Sequence, residues 1–215
     1  MAKVKVSKKS TRIDMTAMCD VAFLLLTFFI LSATSKEPEP HPVDTPASTV
    51  LDKLPESGVA TITVGDKQVF FNIPDKDVKI ETLKRISQEY NMSFTESEYE
   101  AFGNMQGFGV PLNQLKGLLK MSPADRNSEG LQKGIPFDTV NDQLTSWVKQ
   151  AREASKAVLE QRMIDGEDIE FKDLDIAIKG DGEEEYPTIK RVIDILQDQK
   201  KNRFFLVTGL RNEDF

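Results

Sequence analysis

The chain has 215 residues, 39% of them hydrophobic, with a formal charge of -7. At roughly 150 residues per domain, one anchor plus one or two compact domains fit, and the acidic balance argues against nucleic acid as a main partner. A single cysteine, Cys19, excludes an intramolecular disulfide, and a single histidine, His41, excludes a His-rich zinc site or a His-based triad in a folded pocket.

Residues 1–12 form a basic tail carrying Lys3, Lys5, Lys8, Lys9 and Arg12, with no acid before Asp14. The longest apolar run follows at 21–31, VAFLLLTFFIL, and with its flanks it covers residues 13–34. That length is close to the roughly 20 residues that cross the hydrocarbon core as a helix. Beyond it, Glu37, Glu39, Asp44 and Asp52 outnumber Lys36 and Lys53. Positive residues stay on the cytoplasmic side, so the N-terminus is expected inside and the bulk of the chain outside. A cleaved leader is the competing reading, since a basic start, a short apolar core and small residues at 32–35 suit it. The length of the basic segment and Asp20, which abuts the apolar core, argue against it.

Asp20 is the informative residue of this span. It lies roughly 10 Å inside it at about 1.5 Å per residue, where an ionised carboxylate costs about 2.5–3.5 kcal/mol. On a helical wheel Thr16, Thr27 and Thr34 fall beside Asp20, while Val21, Ala22, Leu25 and Phe29 lie on the other faces. A polar stripe of this kind has to meet a partner helix or a water-filled path. An acid that gains and loses its charge there is suited to carrying protons, and one charge moved through 100 mV yields about 2.3 kcal/mol. The alternative is a helix that begins at Val21 with Asp20 as its cap, leaving only about 13 residues to span the bilayer. For Thr27 the alternative is a hydroxyl that simply bonds back to its own backbone.

Residues 35–53 read as a Pro-rich linker, with Pro38, Pro40, Pro42 and Pro46 among charged and small residues. Such a stretch favours an extended, semi-stiff tether of about 3.1 Å per residue, with a reach of roughly 40–50 Å. His41 within it reads as a solvated bystander.

Residues 54–215 form the extracytoplasmic domain. Alternation at 61–64 and 69–73 predicts two strands with a turn at 65–68. An insertion follows at about 80–169 that reads as mostly helical. It begins with a helix at 80–86. Thr95 and Glu98 form a capping box, glycines and Pro111 break the pattern at 103–111, and Leu112, Leu115, Leu118 and Leu119 stripe a short helix. Residues 140–163 then read as one long helix with Trp147 in the core. A strand at 174–178 comes next. Pro187 opens a helix with an apolar stripe of Ile189, Val192, Ile193 and Leu196, and Asn202 suits its left-handed end. The apolar run at 204–207 is a last strand, either at a sheet edge, where it can pair with a partner or a twin, or inside the sheet.

No metalloprotease, phosphate-loop or nucleophile-elbow motif appears, so no enzyme activity, cofactor or metal site is expected. Asp165, Glu167, Asp168, Glu170 and the acids at 183–185 have the oxygen chemistry for a hard cation, but a solvated acidic loop is the favoured account of them.

The segment 13–29, IDMTAMCDVAFLLLTFF, resembles the ExbD/TolR family of biopolymer-transport subunits, with Thr16 and Asp20 at matching positions, Asp14 at the polar one, and Ala17 where the family has proline. Residues 50–55 look like the short strand after the family's linker, 60–73 like its hairpin, and 173–210 like its closing strand–helix–strand. These matches cover about half the chain. The resemblance implies an α+β domain on a single-pass anchor in a bacterial inner membrane, with the N-terminus cytoplasmic and the C-terminal domain periplasmic. It implies a homodimer, in contact with membrane lipid, inside a ring of ExbB-like or TolQ-like subunits, driving a TonB-like or TolA-like periplasm-spanning partner. Asp20 would accept protons. Thr16, and by position Thr27, would line the ion path. An ExbD role in a TonB-type motor is the favoured reading. A TolR-like envelope subunit or a passive anchored scaffold is the alternative.

Overall fold

The computed structural model describes residues 15–32, 39–48, 54–55, 58–128, 130–167 and 169–210. It divides into two compact units, Met1–Lys36 and Glu37–Phe215. The first contains helix α1, Met15–Ser32. The second is mixed α+β, as expected. It opens with a short strand β1, Ala47–Ser48, and the hairpin β2, Val59–Gly65, and β3, Gln68–Asn72. Five helices follow: α2, Lys76–Glu89; α3, Glu96–Gly103; α4, Leu112–Leu119; α5, Pro123–Arg126; and α6, Gln143–Ile164. The chain closes with β4, Asp175–Gly180; α7, Tyr186–Asp198; β5, Phe205–Val207; and β6, Gly209–Leu210.

The main sheet has the order β3-β2-β4-β5, antiparallel between β2 and β3 and parallel elsewhere. Alternation along β2 sends Ala60, Ile62 and Val64 into the core. Ile176 and Ile178 stand beside Ala60 and Ile62 on β4, and Phe71 and Val69 stand opposite Ile62 and Val64 on β3. Helices cover this face. Trp147 of α6 is fully buried and packs on Phe108 at 4.5 Å and Phe102 at 5.8 Å between ring centroids. Such aromatic pairs contribute about 0.5–1.5 kcal/mol each beyond burial.

Residues 80–169, expected as an insertion, are mostly helical as the sequence predicts, and their local signals are realised. The Thr95 hydroxyl accepts from Glu98 N–H while the Thr95 N–H donates to the Glu98 carboxylate at 2.8 Å, so the capping box forms. All four leucines of α4 are buried. The long helix starts at Gln143 rather than 140, because Asp142 caps it by accepting from Thr145 N–H at 3.0 Å. In α7, Val192, Ile195 and Leu196 are buried and Ile189 and Ile193 pack half-exposed against the core. Lys200, not Asn202, takes the left-handed end, with φ 59°. Lys200 N–H donates to Gln197 O and Lys201 N–H to Leu196 O, a Schellman closure that turns Lys201 inward.

The insertion also closes one edge of the sheet. Phe71 and Phe108 exchange both backbone hydrogen bonds, at 2.8 and 3.0 Å, and Ile135 N–H donates to Val69 O at 2.8 Å. Gly134 makes this approach feasible. Its φ is +86°, and a Cβ there would lie 2.9 Å from Val69 N. The run 107–109, unsuited to phosphate, is thus a sheet-edge cover. The opposite edge, β5, carries no further strand among the described residues, which resolves the open choice between edge and interior in favour of the edge.

The linker departs from the free tether expected for it. Residues 39–48 lie against the outer sheet face: Lys179 Nζ meets Glu39 at 2.7 Å, Gly182 N–H donates to Asp44 O at 2.8 Å, and β1 pairs in parallel with β6. His41 is no solvated bystander. Its ring stacks on Phe70 at 4.9 Å and 5°, and Nε2 lies 3.6 Å from Asp66. An extended proline-rich segment leaves its flat faces available for such packing. The strand expected at 50–55 falls mostly outside the described residues, and the described Leu54 and Pro55 are not in a strand.

Candidate functional site

Helix α1 has 18 residues and a mean hydropathy of 2.0, long and apolar enough to cross a membrane. At about 1.5 Å per residue it is roughly 27 Å long, near the ~30 Å hydrocarbon thickness. Asp20 is its one charged side chain. The helix begins five residues before it, so Asp20 sits in the second turn and is not a cap. Among the described residues no cation pairs with it, and no α1 residue is buried. The Thr27 hydroxyl donates to Leu24 O at 2.9 Å, so its proton is held by its own helix. Thr16 lies on the Asp20 face one turn earlier. Thr34, Asp14 and the basic tail lie outside the described residues.

The acids of the α+β unit are arranged differently. Asp75 caps α2, accepting from Asp77 and Val78 N–H, and takes two hydrogen bonds from Arg162 of α6 at 2.8 and 3.1 Å. Burial works to raise its pKa, but the Arg162 bonds and the backbone donors outweigh it and hold the carboxyl below its usual range. Asp173 is bonded by Arg152 at 2.9 Å and by Lys201 at 3.3 Å, and Asp175 by Lys172 at 2.6 Å and Lys201 at 3.3 Å. For both, burial again works upward and the cations prevail, lowering the pKa. Arg162 is the residue that sequence reasoning missed. The pair of acids flanking the start of α2 was the available signal.

Of the acids considered for a cation, Glu184 instead accepts Lys67 N–H at 2.9 Å and Glu185 lies 3.4 Å from Lys67 Nζ, so they clamp the hairpin turn. Among the described residues no three His, Cys, Asp or Glu side chains gather as a metal site, and Asp168 lies outside them.

No curated protein and no solved structure matches the chain. A family model described as Biopolymer transport protein ExbD/TolR matches residues 7–210. The match runs from ahead of the apolar helix to the last strand, and the chain therefore belongs to the ExbD/TolR family.

Proposed function

We propose that this chain is the proton-driven subunit of an inner-membrane motor, with Asp20 as the group that takes up and releases the proton. Membership itself supplies the coarser statement: the family serves energy transduction in biopolymer transport, is non-enzymatic, and is anchored in the inner membrane with a periplasmic domain. The observation that carries the finer reading is Asp20 alone. It is a single carboxyl on an otherwise uncharged apolar helix, with no counter-charge among the described residues. An acid so placed needs a partner from another subunit or a water path. In this reading two copies sit inside a ring of ExbB-like or TolQ-like subunits, with the N-terminus cytoplasmic. Thr16 lines the ion path beside Asp20, and Thr27 contributes through its oxygen. The motion is passed to a TonB-like rather than TolA-like partner, and the open β5 edge is the strand surface available to it or to the twin copy.

The test is Asp20→Asn in cells. Energised transport disappears while membrane insertion and protein level stay normal. Transport that persists at normal protein level overturns the mechanism and favours a passive scaffold, which needs only the folded domain. Co-purification in mild detergent with a polytopic ring checks the assembly.

A further inference from the structure

We infer that the cleft between α6 and the starts of β2 and β4 is a docking site for a polypeptide that inserts aliphatic side chains and carries a flanking lysine or arginine. The cleft encloses about 460 Å³, within the ~300–1,000 Å³ of small binding pockets. One wall is insertion helix, with Ser155, Val158 and Leu159. The other is sheet and α2, with Ile73, Val78 and Leu174. The site therefore exists only because the insertion is there, and the Arg162–Asp75 pair holds its walls together.

Its chemistry narrows the occupant. Among the described residues no aromatic ring lines the cleft, so a flat ligand gains no stacking partner and aliphatic groups fit best. Ser155 is only 5% exposed and lines the cleft. Its hydroxyl offers a donor and an acceptor to an incoming backbone amide. Apolar surface continues beyond the mouth through Ile164, 78% exposed, and Phe171, 50% exposed, each close in sequence to a lining residue. A small amphiphile would leave these in water, whereas a polypeptide covers them.

Charge gives the last constraint. The lining cations are occupied, Arg162 by Asp75 and Asp77 and Lys172 by Asp175. Glu170 at the cleft and Glu167 nearby have no cationic partner among the described residues. The mouth therefore attracts a positive flank and repels carboxylate or phosphate heads. This docking does not depend on the role of Asp20, and the Asp20→Asn protein binds as well as the parent.

The experiment uses the full chain in phosphatidylcholine nanodiscs, with empty discs as control. The probes are the capped peptides Gly-Lys-Leu-Leu-Lys-Gly and Gly-Glu-Leu-Leu-Glu-Gly, followed by titration calorimetry. The lysine peptide binds at least about tenfold tighter than the glutamate peptide, and Glu170→Lys removes that preference. Phe171→Ser, at an exposed position that leaves the fold intact, weakens the lysine peptide at least about threefold. Absence of binding, equal binding of the two peptides, or binding indifferent to both substitutions overturns the proposal. Octylammonium or octanoate binding in the cleft without either peptide does so too, in favour of a small amphiphile.

Discussion

Asp20 in α1 and Asp75, Asp173 and Asp175 in the α+β unit are all carboxylates, yet among the described residues only the latter three find cations. In the folded unit each acid is held ionised by an arginine or lysine from another element. These pairs fasten α6 to α2, and β4 to the end of α7. In the apolar helix the acid has none among the described residues. A charge matched inside its own chain serves structure. A charge left unmatched in an apolar helix depends on what the assembly brings to it.

The sharpest way to break this contrast is to neutralise both kinds of acid. Asp20→Asn abolishes energised transport and leaves thermal unfolding of the α+β unit unchanged, as read by transport assay and calorimetry side by side. Next in size is Lys201→Met. Lys201 is buried between Asp173 and Asp175, and removing it takes one of two cations from each of these partly desolvated carboxylates, leaving Arg152 and Lys172, at a cost of about 2–3 kcal/mol in denaturant unfolding. Transport per folded molecule stays as in the parent.

Arg162→Met costs less, about 1–2 kcal/mol, because the pair is a third or less exposed and still partly screened. Its pH dependence has a defined sign. The Asp75 pKa is lowered in the fold from an ordinary 3.8, so the unfolded chain binds more protons as acid is added. The stabilisation is full above about pH 4 and fades as pH falls through the folded value. Parent and variant stabilities therefore differ most near neutral pH and converge in acid. The smallest effect is Thr27→Val. The hydroxyl proton already serves Leu24 O, so transport stays within about twofold. A larger loss would give that oxygen a weight in the ion path equal to that of Thr16.

What was legible in the sequence were features encoded within a few residues. The Thr95–Glu98 box, the leucine stripe of α4, Pro187 at the start of α7 and the isolated Asp20 all declare themselves through spacing. What was hidden depends on backbone or on distant partners. The bridge between Phe71 and Phe108 is made of peptide groups and leaves no mark in residue type. Lys200 closes α7 in a left-handed conformation that its side chain does not advertise. The proline content of 39–48 correctly signals extended chain, but extension does not decide between water and a sheet face, and the stacking of His41 on Phe70 settles it. Arg162 meets Asp75 across 87 residues.

The edge cover on β3 also bears on how the molecule comes into being. β2 and β3 emerge early, while β4, which must pair with β2, begins more than a hundred residues later. At roughly 5–20 residues per second this leaves the hairpin waiting on the order of 5–20 s for its neighbour. During that interval Phe108 and Ile135 can already occupy the outer strand, and α2 and α6 its apolar face. By this order of synthesis residues 80–169 cover the apolar hairpin until the last fifth of the chain arrives to complete the sheet.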